Sequence, residues 1–216
     1  MTVEQITIAL AKGRLLEPAV DVLRKAGVWK GGPPATDGIV LDREGLRVIV
    51  IRDDDVPTYV ALGAADMGIV GKDVLLEQGK DVVELGDLGI GRCRLVVAAP
   101  KTPRRPQGSL LRVATKYASL AESFLLRKGY PFQVIRVHGA TELAPAMGLS
   151  DAIVDLVQTG KTLERNGLAE IEEILSSSAR LIVNPASYTM KQEQIRTMAS
   201  AITAAARNGG SGNEGT

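Results

Sequence analysis

Residues 151–163 read Asp151-Ala152-Ile153-Val154-Asp155-Leu156-Val157-Gln158-Thr159-Gly160-Lys161-Thr162-Leu163, and they confine the chain more than any other stretch. A short apolar run bounded by turn residues is a buried strand, and Asp155 stands where that strand should emerge. A polar turn centred on Gly160 follows, and Thr162 opens a helix. A strand that ends in such a loop and feeds a helix aims backbone N–H groups and a positive helix end at one point. That arrangement suits an anion, most often a phosphate. Thr159 and Thr162 add hydroxyls, and Asp155 can accept from sugar hydroxyls. A plain strand–turn–helix connection accounts for the same residues.

Gly160-Lys161-Thr162 matches the end of a P-loop, but that motif requires a glycine five residues before Gly160, and Asp155 stands there. What remains is a carboxylate followed by Thr-Gly-x-Thr, an arrangement used to hold a ribose 5-phosphate.

The rest of the chain repeats the strand–helix theme. Ile6 to Leu10 alternates like a strand and runs into Lys12-Gly13-Arg14. From Leu15 to Ala26 apolar residues return at helical spacing, with Gly27 as a stop. The two cations at that turn are either a solvated corner or a second anion site. Gly31-Gly32-Pro33-Pro34 is a loop, and Ile39 to Leu41 with Leu46 to Ile51 reads as a hairpin. Asp53-Asp54-Asp55 is expected to cap and start a helix from Val56 to Leu62 rather than to bind a metal. A short strand then enters Gly71-Lys72-Asp73 and a helix to Gln78. Such alternation predicts a mainly parallel sheet whose ligand edge lies at the strand carboxyl ends, near Arg14, Arg52 and Lys72.

Val82 to Leu85 and Arg92 to Ala99 read as strands, and the Pro- and Arg-containing 101–107 segment as an exposed connection. The alternation then restarts. Strands are expected at Leu111 to Thr115 and Phe132 to Val137, with a helix from Ser119 to Lys128 and a short one from Glu142 to Met147. After the opening stretch come strands at Ile171 to Leu175 and Ala179 to Val183. A last helix runs from Ala186 to Ala205, with Met190, Ile195, Met198 and Ile202 on one face. The boundaries that follow are lobe I over 1–92 and 180–207, lobe II over 93–179, and a disordered Gly- and Ser-rich tail over 208–216. A cleft between two lobes commonly holds a ligand.

Composition narrows the function classes. The 216 residues carry a net charge of +1 and only 3% aromatic residues. Neither a basic stripe nor a stacking platform for nucleic acid is in view. The one cysteine, Cys93, excludes an internal disulfide and fits a reducing compartment. The one histidine, His138, cannot make a zinc cluster and reads as a surface or loop residue. No run approaches a membrane span, and the N-terminus lacks the pattern of a signal peptide, so the expected location is cytoplasmic.

Two segments carry a resemblance. Arg52 to Val60 with Ala65-Asp66-Met67-Gly68-Ile69-Val70-Gly71-Lys72-Asp73, and Glu142 to Leu163, resemble the N-terminal lobe and the signature segment of the ATP phosphoribosyltransferase family. The likeness runs in order to about Arg207. It implies a two-lobed α/β fold like that of type II periplasmic binding proteins. It also implies the first step of histidine biosynthesis, in which ATP and phosphoribosyl pyrophosphate give N1-phosphoribosyl-ATP and pyrophosphate with Mg²⁺. The 5-phosphate site then falls on Asp155, Leu156, Val157, Gln158, Thr159, Gly160, Lys161 and Thr162. ATP is assigned to Lys12, Gly13, Arg14, Arg52, Lys72, Asp73, Arg94 and Lys116, which sit near expected strand ends. Asp155, Glu142 and Arg14 are the expected catalytic residues, with Mg²⁺ carried by substrate rather than by a fixed protein site. The chain resembles the family's short form, which works with a regulatory subunit similar to histidyl-tRNA synthetase. A hetero-octamer is expected with that subunit, and a dimer without it. Lys161 departs from commoner versions of the loop; it either adds a cation at the phosphate or points to solvent.

Two other classes share features. A periplasmic binding module has the same two-lobed fold but should carry an export signal. A base-salvaging type I phosphoribosyltransferase also holds ribose 5-phosphate, but usually through two adjacent acids before its threonines, where only Asp155 is present here.

Overall fold

The computed structural model describes residues 5–31, 40–43, 45–102 and 110–209. The expected loop over 32–34, the start of the hairpin at Ile39, most of the 101–107 connection and the tail from 210 onward lie outside these residues. The chain divides into two compact units, one comprising Met1–Arg92 and Ser178–Thr216, the other Cys93–Ser177.

The first unit opens with β1 (Ile6–Ala11) and α1 (Leu16–Lys25). It continues through β2 (Val40–Arg43), β3 (Leu46–Ile51), α2 (Val56–Ala61), β4 (Met67–Gly71), α3 (Lys72–Gln78) and β5 (Val83–Asp87). The second unit contains β6 (Cys93–Pro100), β7 (Leu111–Thr115), α4 (Ala118–Lys128), β8 (Phe132–Arg136), β9 (Ala152–Val157), α5 (Lys161–Arg165) and β10 (Leu168–Ser177). The chain then returns to the first unit with β11 (Ala179–Val183), α6 (Pro185–Met190) and α7 (Gln192–Gly209).

Strand order is β2-β3-β1-β4-β11-β5 in the first unit and β10-β6-β9-β7-β8 in the second. The expectation of mainly parallel pairing needs correction, because both sheets are mixed. Parallel pairs occur at β1/β3, β1/β4, β7/β8 and β7/β9. The remaining pairs are antiparallel: β2/β3 is a hairpin, and β6, β10 and β11 run opposite to the strands they pair with.

Each sheet is apolar where it meets its helices. In α1 the buried positions are Ala19, Val20, Val22 and Leu23, one stripe at helical spacing. In β4, Gly68 lets α2 approach closely: a Cβ there would lie 2.9 Å from methyl carbons of both Val56 and Val60. Helix α6 starts as the sequence suggests. The Asn184 side chain accepts from Ser187 N at 2.9 Å and donates to Val60 O and Ala61 O at 2.9 and 3.1 Å, joining the end of α2 to the start of α6.

Four local expectations differ from the structure. The last helix is two helices, because Lys191 leaves helical geometry and its ammonium bonds Gln5 O and both oxygens of buried Asp66. Met190 consequently points outward at 77% exposure, while Ile195 and Ile202 stay in the core. The expected helix over 142–147 is only a 3-10 turn at Thr141–Leu143 followed by turns. The aspartates at 53–55 form a 3-10 turn of their own, and Asp55 makes no capping hydrogen bond to α2. Helix α7 extends to Gly209, past the start of the expected tail. No helix among the described residues is long and apolar enough to cross a membrane. His138 is exposed and Cys93 is buried.

Candidate active site

In the second unit, β9 lies between β6, where Val96 faces Asp155, and β7, where Thr115 faces Val154. Asp155 is half-buried, and its Oδ1 accepts the Leu156 N–H at 2.8 Å. Burial pushes its carboxyl above the usual carboxylate range, and the nearby negative charge of Glu142 adds to this. The Leu156 N–H and the Lys116 ammonium pull the other way. Three residues singled out in the sequence, Asp155, Glu142 and Lys116, are thus brought together by folding. Glu142 reaches this place on the turn after Ala140, whose φ of +49° is a left-handed conformation strained for a residue with a Cβ. Arg112 clamps the base of the same layer, giving two guanidinium bonds and its backbone N–H to Asp151, at 2.9–3.3 Å.

Beyond Asp155 and Leu156, Val157 turns inward, and Gln158, Thr159, Lys161 and Thr162 are exposed. Gly160 caps α5 with a φ of +78°, which glycine adopts freely. Helix α5 has only five residues, so its macrodipole is small and the expected helix-end attraction is weaker than a full helix would supply. Its first N–H groups still lack intrahelical acceptors. Among the described residues the side chains of Thr159, Lys161 and Thr162 have no hydrogen-bond or ion-pair partner. Arg94, by contrast, does not turn to this loop. Its guanidinium makes a two-pronged ion pair with Glu170 across β6 and β10, one bond of 2.9 Å, and lies 3.5 Å from Glu173.

In the first unit, the parallel strands β1, β3 and β4 end at Ala11, Ile51 and Gly71, so Lys12, Arg52 and Lys72 follow one sheet edge. Lys12, Arg14, Asp53, Gly71 and Asp73 line a small concavity there. Gly13 makes the turn with a φ of +84°. Asp73 is 1% exposed, and a Cβ on Gly71 would lie 2.3 Å from its Oδ1, so glycine is required under that carboxylate. Arg14 donates to Gly91 O at 2.6 Å, and Arg52 is exposed. Lys72 turns away to Glu84 at 2.5 Å. Glu84 belongs to a network in which Arg180 Nη1 meets Asp87 Oδ2 at 2.7 Å. Burial opposes ionisation of Asp87, but the Ser178 hydroxyl, the Gly89 N–H and the charges of Arg180 and Arg92 hold its carboxyl below the usual range. Sequence reasoning missed this network and the Asp66–Lys191 pair, since charges far apart in the chain leave no periodic signal. It also missed Asp53 as a wall of the concavity, having read it as a helix cap.

Among the described residues no group of three or more His, Cys, Asp or Glu side chains could hold a metal ion. Asp155 and Glu142 offer carboxylates that fit a Mg²⁺ bringing most of its ligands as phosphate oxygens and water.

The family model described as HisG: ATP phosphoribosyltransferase matches residues 52–204. The chain belongs to the ATP phosphoribosyltransferase family. It is 45% identical over 222 residues to ATP phosphoribosyltransferase from Moorella thermoacetica, covering 97% of each chain. With that of Methylococcus capsulatus it is 48% identical over 199 residues, 90% of this chain and 92% of the relative. Among solved structures, the ATP phosphoribosyl transferase (HisG:HisZ) complex from Thermotoga maritima superposes with a TM-score of 0.83 at 33% identity, covering 94% of this chain and all of that one. The substrate binding protein of an amino acid ABC transporter superposes with a TM-score of 0.61 at 14% identity, covering 94% of both chains. That likeness concerns the fold, and it matches the expected two-lobed α/β class of binding proteins.

Proposed function

We propose that this chain catalyses the first step of histidine biosynthesis, with the Asp155–Thr162 loop holding the phosphoribosyl group and the first unit's sheet edge holding phosphates of ATP. The observation that carries the reading is the juxtaposition of a half-buried Asp155, beside Glu142 and Lys116, with an exposed loop whose hydroxyls have no partner among the described residues. Family membership supplies the reaction. Adenine N1 attacks with its own lone pair, a bond forms to the anomeric carbon, and the bond to pyrophosphate breaks with its electrons leaving on oxygen. No base is needed at N1.

Positioning and electrostatics are what the protein contributes. Thr159, Thr162 and the loop N–H groups bind the 5-phosphate, Lys161 adds a cation beside it, and Asp155 and Glu142 orient the ribose hydroxyls. Lys12, Gly13 and Arg14, with Arg52 and Asp73 at the same edge, attract and orient the triphosphate, and Lys116, near Asp155, meets the negative charge that builds on the departing pyrophosphate. Lys72 and Arg94 serve as structural ion pairs in this reading, since a substrate would have to displace Glu84 or Glu170 from them. Asp155 and Glu142 are also the residues that would hold Mg²⁺, whose chemistry when bound is to neutralise the departing pyrophosphate.

The Thermotoga maritima relative was solved as a HisG:HisZ complex, which supports a second, regulatory subunit for this chain. We assign it a histidyl-tRNA-synthetase-like partner in a hetero-octamer, a dimer in its absence, and a cytoplasmic place of work. The test is formation of phosphoribosyl-ATP, detected by mass, from ATP, phosphoribosyl pyrophosphate and Mg²⁺, with and without that partner from the same source. Product in either reaction supports the transferase, and acceleration by the partner supports the complex. Folded protein that makes no product under both conditions overturns the reading.

A further inference from the structure

We infer that Thr115 is a positioning residue for the transfer, its hydroxyl holding the Asp155 carboxylate and the Lys116 ammonium in fixed relation. The inference rests on the assignment of Asp155 to the phosphoribosyl site. Thr115 ends β7 and is 0% exposed, a lone hydroxyl after the buried Val113 and Ala114. Its Oγ1 donates to Val154 O at 2.7 Å and accepts the Tyr117 N–H at 2.9 Å. The Val154 carbonyl belongs to the peptide whose nitrogen is that of Asp155. The Tyr117 N–H belongs to the peptide that follows Lys116. One oxygen therefore ties the plane from which Asp155 rises to the turn that carries Lys116.

The β7/β9 pairing reaches its last register pair at Thr115 and Val154, so the hydroxyl extends the tie past the point where the strands part. A valine would fill the same space and satisfy a strand, but it would remove both of these hydrogen bonds. The Tyr117 ring, 1% exposed, lies 4.9 Å beneath the Lys116 ammonium, which restricts where that charge can go. Lys116 is one of the groups that help Asp155 stay ionised against burial and the charge of Glu142.

The test compares Thr115→Val, Thr115→Ser, Asp155→Asn and the double variant Thr115→Val/Asp155→Asn in the complete enzyme with its regulatory subunit. Readouts are kcat, KM for each substrate and the thermal midpoint. Thr115→Val should lower kcat roughly 10- to 100-fold, the scale of a sub-ångström to ångström misplacement, with little change in KM for ATP. Thr115→Ser should restore most of the rate, and Thr115→Val should add nothing in the Asp155→Asn background. If Thr115→Val does not fold, Thr115→Ala, where a water can replace the hydroxyl, carries the same comparison. A folded Thr115→Val variant with unchanged kcat, or one whose loss persists undiminished without Asp155, overturns the inference. A fully active Asp155→Asn would instead bring down the site assignment, and this inference with it.

Discussion

The chain contains two corners of nearly the same sequence, Gly71-Lys72-Asp73 in the first unit and Gly160-Lys161-Thr162 in the second. Each follows a strand and opens a helix. In the first, the lysine is bound to Glu84 and the aspartate folds back over the glycine, so the charged groups are turned inward. In the second, lysine and threonine stand exposed with no side-chain partner among the described residues. The difference comes from what lies beside each strand. β4 pairs with β11, which pairs in turn with β5, and Arg180, Glu84 and Asp87 on these two strands form a network that takes up the lysine. A Gly-Lys-polar corner is therefore locked into an ion-paired network or left exposed according to its neighbours, and the tripeptide alone does not say which.

Four substitutions sharpen or break this contrast. The largest effect should come from the inward-turned charges of the first unit. Asp66→Ala strips the acceptor from Lys191, Thr7 N and the Ser187 hydroxyl and should cost roughly 3–5 kcal/mol, as for other buried pairs broken on one side. Urea unfolding measures it, and a loss under 1 kcal/mol would mean that this node is not part of the framework.

Asp155→Asn should do the reverse, lowering kcat by about 100-fold while raising stability at pH 7. Because burial lifts its carboxyl, the folded chain holds that proton more tightly than the unfolded one, and stability falls as pH rises through the raised value. Asparagine removes this penalty, so its advantage should fade below the ordinary carboxylate range. Thermal midpoints across pH decide it; a variant less stable than the parent at pH 7 would contradict the sign.

Arg14→Ala should raise the KM of a polyanionic substrate by about tenfold, one charge-assisted contact, with a smaller change in kcat. Steady-state kinetics with each substrate varied in turn will tell, and unaltered KM values would reduce Arg14 to its bond with Gly91 O. Lys161→Ala should have the smallest effect, a rise of about two- to fivefold in KM for phosphoribosyl pyrophosphate that vanishes at high salt. Persistence of the effect at high salt would argue for a contact other than simple charge.

Much of this was legible in the sequence. The strands and the 151–163 loop announce themselves through apolar runs bounded by glycine and polar turns, which local physics dictates. Glu142 and Lys116 could be nominated, but their convergence on Asp155 depends on β7 and β9 pairing in parallel, a tertiary fact. Arg94 and Lys72 read as substrate cations from their places at strand ends; that folding pairs them with Glu170 and Glu84, 76 and 12 residues away, is a tertiary fact. The break at Lys191 was hidden for the same reason, since helical periodicity continues through it while the ammonium answers to Asp66. Antiparallel pairing by β6, β10 and β11 likewise follows from where the chain returns, not from composition.

That return has a consequence for synthesis. β11 fills the place between β4 and β5 in the first sheet, yet it is made only after the whole second unit. As the chain leaves the ribosome, β4 presents a bare edge and β5 has no strand to join until residue 183 has emerged. The second unit, continuous in sequence, can close first. During that interval the nascent chain exposes an unsatisfied strand edge, which makes the first unit the stage of biogenesis where chaperone binding or mispairing with another chain would concentrate.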